Sequence, residues 1–460
     1  MKARATNYNV LFIISDQHKR DVTGCYGDTV VRTPNIDRLA EEGVRFTNAY
    51  AQCPLCGPSR SAIMTGTHPH TCRGLTHTQQ ETIRVMPTLG TVFRDRGYVT
   101  GALGKVHIRG EDEVRDLGFD ERALRYYTYG YRDYVDAVGA ENVDKYNAYR
   151  KGAGCPRRPV YNWDNVSIEL DEPLMIDALV VDRCIDFMTT HKDEKFFLWA
   201  GLEKPHPEWY APAEYHAMYD PTKMTLPETA HDKPENIPAA LDRLRVVENV
   251  TDDQVRGALA AYNADVTYLD AKIGQLLAAL ERLGLAENTI VVYTSDHGEN
   301  LFEHGFVQKH CFYEPAVAVP LTMRCPGVVP AGETREHLVS LIDLFPTWLD
   351  LLGIEHPDTL EGESLLSVID GSTPTEGREV FSEFYKWGMS ERMIRTPEWK
   401  YVHTDGDVSQ LYDVQHDPLE RVNLVDDKRY ADVCRELSER VHDGWEKPDP
   451  RMIQPNPMPY

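Results

Sequence analysis

The sequence predicts an α/β protein: a large, mostly parallel sheet sandwiched by helices, followed by a smaller C-terminal unit of antiparallel sheet plus helix. Three observations carry this. Asn9–Ser15 (NVLFIIS) is an unbroken apolar run rich in β-branched residues, the pattern of a strand buried on both faces of a parallel sheet. Similar runs recur at residues 44–46, 99–103, 196–200 and 289–293, with helical stretches between them at distances suited to crossover connections. After about Leu352 the texture changes to loop-like segments (EHPDTLEGESL, DGSTPTEGRE) and short alternating runs.

Taken in order, the strand NVLFIIS ends at Asp16, and Thr33-Pro34-Asn35 then starts a short helix, IDRLAEEG, with a glycine stop. Between residues 265 and 283 the apolar side chains Val266, Leu269, Ile273, Leu276, Leu277, Leu280 and Leu283 repeat with helical spacing, which predicts a core-facing helix feeding the strand TIVVYTS. Past Leu352, the runs EVFSEFY, RMIRT, WKYVHT and QLYDV predict a small antiparallel sheet, and residues 427–446 a helix packed on it. The expected division is a catalytic α/β domain over 1–352 and an α+β subdomain over 353–460. A chain of 460 residues suits two or three domains at roughly 150 residues each.

With 42% hydrophobic and 27% charged residues, the composition is that of a folded globular protein, not of a disordered or fibrous one. No run approaches the roughly 18 apolar residues of a membrane span. The start, MKARATNYNVLFIISDQ, enters a strand directly and shows no small-residue cleavage site, so the expected location is cytoplasmic, or periplasmic if the N-terminus has been trimmed. The net charge of −24 argues against nucleic acid or an anionic lipid surface as partner. It also means that any site for an anionic ester needs a local cluster of cations. Nine scattered cysteines predict reduced thiols. Cys53 and Cys56 form a lone C-x-x-C, a weak redox or zinc signal because no second pair accompanies it.

Two strand ends carry ligand-type residues: Asp16-Gln17 after the first strand and Asp296-His297 after TIVVYTS, a donor set that fits a hard or borderline divalent cation. A single Asp at such a place reads equally well as a helix cap, and the metal reading rests on the two pairs together. In Cys56-Gly57-Pro58-Ser59-Arg60-Ser61-Ala62-Ile63-Met64-Thr65-Gly66, a turn leads into a helix with Arg60 in its first turn. A cation there opposes the helix dipole unless an anion answers it. A cysteine at that helix start beside Arg60 is expected to have a lowered pKa and to serve as a nucleophile, although an average Cys is a buried, inert thiol. Lys105 and His107 follow a strand and, if the segment stays extended, share one side of it. Lys204-Pro205-His206-Pro207 follows the strand FFLWAGL, and Lys309 lies a dozen residues past the second ligand pair. Singly, each Lys or His reads as a surface group. Their common position after strands marks them as candidates for anion binding and proton transfer.

The chain resembles the type I sulfatases of the alkaline phosphatase superfamily over nearly its whole length. The resemblance is carried by Cys56-Gly57-Pro58-Ser59-Arg60 with SAIMTG, which looks like the sulfatase signature, and by NVLFIISDQ, TPNIDRLAEEGVRFTNAY, YTSDHGE and KHCFYEPAVAVPL in order. It implies an alkaline phosphatase-like fold and hydrolysis of a sulfate monoester of a carbohydrate or aryl alcohol. The nucleophile it implies is formylglycine, made from Cys56 by a formylglycine-generating or anaerobic maturation enzyme. By the same resemblance, Asp16, Gln17, Asp296 and His297 bind one divalent metal, and Arg60 supports the formylglycine hydroxyls. Lys105 and Lys309 bind sulfate oxygens, His107 is the base that breaks down the sulfated intermediate, and His206 binds substrate and protonates the leaving alcohol. Many members have Asp where this chain has Gln17 and Asn where it has His297. Ca2+ is the expected ion, with Mn2+ or Mg2+ as alternatives.

Two other readings compete. A phosphonate monoester or phosphodiester hydrolase of the same superfamily resembles this chain in its Asp-Gln and Asp-His set but generally lacks the Lys-x-His pair. A non-catalytic, anion-binding protein of the same fold would keep Cys56 as a thiol. Residues 122–163 are crowded with aromatic and basic groups, among them Tyr126, Tyr127, Tyr129, Tyr131, Arg157 and Arg158. They are expected to form either a wall of the substrate pocket or a surface between subunits of a homo-oligomer.

Overall fold

The computed structural model describes residues 7–76, 83, 85–108, 117–123, 171–246, 250–375, 377–386, 389–443 and 445. Most of the aromatic, basic segment 122–163 therefore lies outside the described residues.

The larger sheet has eight strands: β1 (Asn9–Ser15), β2 (Val44–Tyr50), β3 (Val99–Gly104), β4 (Glu121–Ala123), β5 (Phe196–Gly201), β6 (Thr289–Ser295), β7 (Ala318–Arg324) and β8 (Glu333–Ser340). Their order is β4-β3-β5-β1-β6-β7-β2-β8, and only β7 runs against the rest. The five central apolar runs in the sequence are the strands β1, β2, β3, β5 and β6. Alternate residues of β1 serve opposite faces: Val10, Phe12 and Ile14 join one core, Leu11 and Ile13 the other. That double burial is why the run is continuous instead of alternating.

On one face pack α1 (Pro34–Glu41), α4 (Ile176–Thr190) and α5 (Asp252–Arg282), through Leu39, Val181, Phe187, Leu269 and Ile273. On the other face lie α2 (Cys56–Thr65), α3 (Leu89–Asp95) and α6 (Leu344–Leu352), with Phe12 held edge-on against Trp199 and Trp348, ring centroids 5.0 Å apart in each pair. Helix α5 begins 13 residues before the periodic stretch 265–283. A capping box of Thr251 and Gln254 starts it, and small residues along GALAAYN weaken the apolar repeat there.

The smaller sheet, β9 (Val380–Lys386), β10 (Met389–Arg395), β11 (Trp399–Thr404) and β12 (Gln410–Asp413), is an antiparallel meander. Val380, Phe384, Met393 and Val402 face the main body, against Tyr50, Cys53 and Leu55. Ile394, Tyr401 and Leu411 on the opposite face are covered by α7 (Ala431–His442) through Leu437 and Val441. The two sheets are also tied by buried Lys400, whose ammonium donates to Glu314 at 2.7 Å, Glu420 at 2.6 Å and the Phe312 carbonyl at 2.8 Å. Among the described residues, no helix is long and apolar enough to cross a membrane.

Candidate active site

Strand register builds the site. Ser15 pairs with Ser295, Ile14 with Gly201, and Gly104 with Gly201, so β3, β5, β1 and β6 end level with one another. Lys105, Leu202, Asp16 and Asp296 thus leave the sheet side by side, at the carboxyl edge where open α/β sheets collect ligands. Gly104 and Gly201 make the close approach feasible: a Cβ on Gly104 would lie 2.1 Å from the Gly201 carbonyl oxygen, and the backbone at Gly104 has φ +81°. Lys105 N–H then bonds that carbonyl at 2.8 Å.

Helix α2 points its first residue, Cys56, into this edge, and all ten of its residues are buried. Arg60, one turn later, is fully buried. Its Nε donates to Asp296 Oδ2 at 2.7 Å, Nη1 to the Lys105 carbonyl at 2.6 Å, and Nη2 to the Ser15 carbonyl at 3.1 Å and Asp16 Oδ2 at 3.4 Å. The anion that a first-turn arginine demands is therefore supplied by two carboxylates and two strand ends. Ser59 Oγ adds a bond to the Asp296 carbonyl at 2.5 Å.

Around Cys56 Sγ stand His297 Nε2 at 3.1 Å, Lys309 Nζ at 3.4 Å and Asp16 Oδ1 at 3.6 Å. Lys105 Nζ reaches Asp16 Oδ2 at 2.6 Å, and Lys309 Nζ also donates to Gln17 Oε1. Burial opposes the ionisation of Asp16, but Lys105, helped by His206, Lys309 and Arg60, holds its carboxyl well below the usual range. The expected lowered pKa of Cys56 is not found. Burial, reinforced by Asp16, pushes the thiol up to about 11 despite Lys309 and Lys105. The sequence displayed the helix start and Arg60, but not the two carboxylates that neutralise Arg60 and face the sulfur. A thiol in this setting is protonated near neutral pH and is a poor nucleophile.

His206 sits in the loop after β5, with Nδ1 2.5 Å from the Pro207 carbonyl. The packing around it, together with the charges of Lys105 and Lys309, holds its imidazole well below the ordinary histidine value. His107 departs from expectation. β3 ends at Gly104 and His107 has φ 59°, so the extended segment that the two-residue spacing assumes does not continue through His107. None of the contacts around Cys56 given above is made by His107.

Asp16, Cys56, Asp296 and His297, all buried, offer donor atoms within 4.8 Å of one another. Burial holds the imidazole of His297 below its usual pKa. Its Nδ1 meets the Gly298 carbonyl at 2.9 Å, so Nε2 is presented to the cluster as a neutral donor. Two carboxylates, a neutral imidazole and the Gln17 amide oxygen suit a divalent cation. One contributor escaped the sequence reading: Glu299, in the SDHGE run. It accepts Gln17 Nε2 and the backbone N–H groups of Leu301 and Gln308, which turns the Gln17 oxygen toward Lys309 and the centre. Only its adjacency to Asp296-His297 could have signalled it.

The sequence model of the Sulfatase family matches residues 8–354. The chain belongs to the sulfatase family. A second model, N-sulphoglucosamine sulphohydrolase C-terminal, matches residues 302–447. This sulfatase is 26% identical to the N-acetylglucosamine-6-O-sulfatase of Bacteroides thetaiotaomicron over 95% of its own length and 86% of the relative's. It is 30% identical to the uncharacterized sulfatase YidJ of Escherichia coli, with 95% and 87% covered. Among solved structures, the phosphonate monoester hydrolase of Agrobacterium radiobacter superposes with a TM-score of 0.79 at 24% identity, covering 95% of each chain, a likeness of fold. The sulfatase thus has the alkaline phosphatase-like fold and is a sulfuric ester hydrolase.

Proposed function

We propose that the enzyme cleaves a sulfate monoester of a carbohydrate or aryl alcohol at a formylglycine derived from Cys56, beside one divalent ion held by Asp16, Gln17, Asp296 and His297. The observation that carries this reading is the convergence of Arg60, Lys105 and Lys309 on the buried cluster of Asp296, Asp16 and Cys56 in a chain of net charge −24. In the structure Cys56 Sγ stands where the aldehyde, and on hydration its two hydroxyl oxygens, would lie.

When bound, the ion supplies positive charge to the ester oxygens, and the hydrated aldehyde supplies a hydroxyl nucleophile. The chain's own groups do the rest. Lys105 and Lys309 hold two sulfate oxygens and stabilise the charge that shifts onto them in transfer. Arg60 orients Asp296 and Asp16 and keeps the end of α2 in register with β1 and β3. Burial, with Lys105 and Lys309, keeps His206 neutral in the free site; a bound anionic ester offsets the two cations, so that His206 takes up a proton from solvent and its imidazolium gives that proton to the leaving oxygen. His107 as the releasing base rests on the family resemblance alone. Ca2+ remains the first choice of ion. The name of the Bacteroides thetaiotaomicron relative favours an amino-sugar 6-sulfate among the sugar esters.

Mass spectrometry of the tryptic peptide ending at Arg60, from protein made in a host with a maturation enzyme, tests the chemistry. An aldehyde at position 56, with activity proportional to its fraction, is expected. Activity from a preparation holding only the thiol would overturn the reading.

A further inference from the structure

Outside the central cluster, the described residues bury another group of charges in contact with one loop. The loop of residues 202–208 carries His206 and leaves β5 under tight control. Leu202 N–H bonds the Ile14 carbonyl at 2.9 Å, which ties the loop to the strand that presents Asp16. Asp177, in the first turn of α4, accepts the N–H groups of Glu203 at 2.6 Å and Lys204 at 3.2 Å. The Lys204 ammonium reaches past His206 to the Glu208 carbonyl at 2.6 Å and pairs with Asp265, midway along α5, at 2.9 Å. Asp177, Lys204 and Asp265 are all buried. The carbonyl of Glu203 in turn takes the N–H of His206 at 3.0 Å.

A buried ion pair is a weak source of stability, since apolar residues of like volume often serve as well. What the pair supplies here is position. A lysine that bonds a carbonyl four residues ahead closes a ring around the residues between, and His206 is in the middle of that ring. The ring is fixed at its Lys204 end to two helices of the core: Asp177 of α4 takes the backbone N–H and Asp265 of α5 the ammonium.

We propose that Lys204 is the positioning residue for His206: anchored on Asp265 and closed onto the Glu208 carbonyl, it holds the imidazole at the leaving oxygen, while Asp177 fixes the entrance of the loop. The inference rests on the proposed function for the role of His206. Lys204 touches neither Cys56 nor, on this reading, the substrate.

The test is steady-state kinetics on sulfate esters whose leaving alcohols differ in acidity, from 4-nitrophenyl sulfate to an alkyl sulfate. A nitrophenolate departs without a proton, whereas an alkoxide requires one. Lys204→Met is expected to lower kcat on the alkyl ester about 100-fold, from displacement of the proton donor, and on 4-nitrophenyl sulfate by less than about fivefold. His206→Ala should show the same pattern, the double variant should be no worse than His206→Ala alone, and Lys204→Arg should recover part of the loss. Asp265→Asn provides the same readout if Lys204→Met does not yield folded protein. Equal losses on both esters, or losses that multiply with His206→Ala, would overturn the proposal. A wild-type enzyme that cleaves neither ester, nor an amino-sugar 6-sulfate, would instead overturn the proposed function, and this inference with it.

Discussion

Replacing Arg60 by lysine keeps the charge but removes the fork. The guanidinium serves four acceptors: Asp296, Asp16, and the carbonyls at the ends of β1 and β3, three of them within 3.1 Å. A single ammonium on a shorter reach can satisfy one or two. At least two buried acceptors are then orphaned, at about 1–3 kcal/mol each, in line with the roughly 3–5 kcal/mol for breaking a buried pair. The expected loss is about 4 kcal/mol, a large share of the roughly 5–15 kcal/mol that keeps a domain folded. Activity should fall further than this loss of stability explains, because α2 and β3 lose their common anchor and a displacement of about 1 Å at a reacting group costs about 100-fold. Denaturant unfolding and kcat/KM on an aryl sulfate, measured on the same Arg60→Lys preparation, check both parts. A variant within about 1 kcal/mol and about tenfold of wild type would show that the four-way contact does not organise the site.

Lys400→Met should destabilise by about 3–5 kcal/mol through the stranded Glu314 and Glu420, and Lys400→Met with Glu420→Gln should recover part of it in thermal unfolding. Burial raises Glu391 to about 7, although Thr404 Oγ1 donates to its carboxyl. A folded-state pKa above the unfolded value means that the ionised form weakens the fold, so wild type should lose stability as pH rises from about 5 through 7. Asp265 and Glu420, also raised to about 7, act in the same direction, so Glu391→Gln should show a smaller loss than wild type, and melting temperatures at pH 5.5 and 8.5 compare the two. Chelation of divalent ions should lower both the melting temperature and turnover, with both restored by Ca2+ or Mn2+. His297→Ala should weaken that restoration.

The fold was legible wherever burial was symmetric. Strands β1, β3, β5 and β6 are hidden on both faces and read as apolar runs. β7 lies between β6 and β2, yet its run AVPLTMR carries Pro320, which breaks the pattern of a central strand. The structure shows why a proline is tolerated there: pairing to β6 stops at Leu321, and β2 bulges opposite Pro320 between Phe46 and Ala49. At the site, the places of Asp16-Gln17, Asp296-His297 and Lys105 were legible because each follows directly on a strand whose register the apolar run sets. The raised pKa of Cys56 and the part of Glu299 depend on contacts 40 to about 280 residues apart in sequence, and no local pattern reports them.

The central claim is sulfate ester hydrolysis at Cys56. The direct measurement is turnover of an aryl sulfate against an aryl phosphonate monoester, by protein whose formylglycine content has been counted. Faster sulfate cleavage, lost in Cys56→Ala, is expected. Faster phosphonate cleavage, or sulfate cleavage that survives the loss of Cys56, would contradict it.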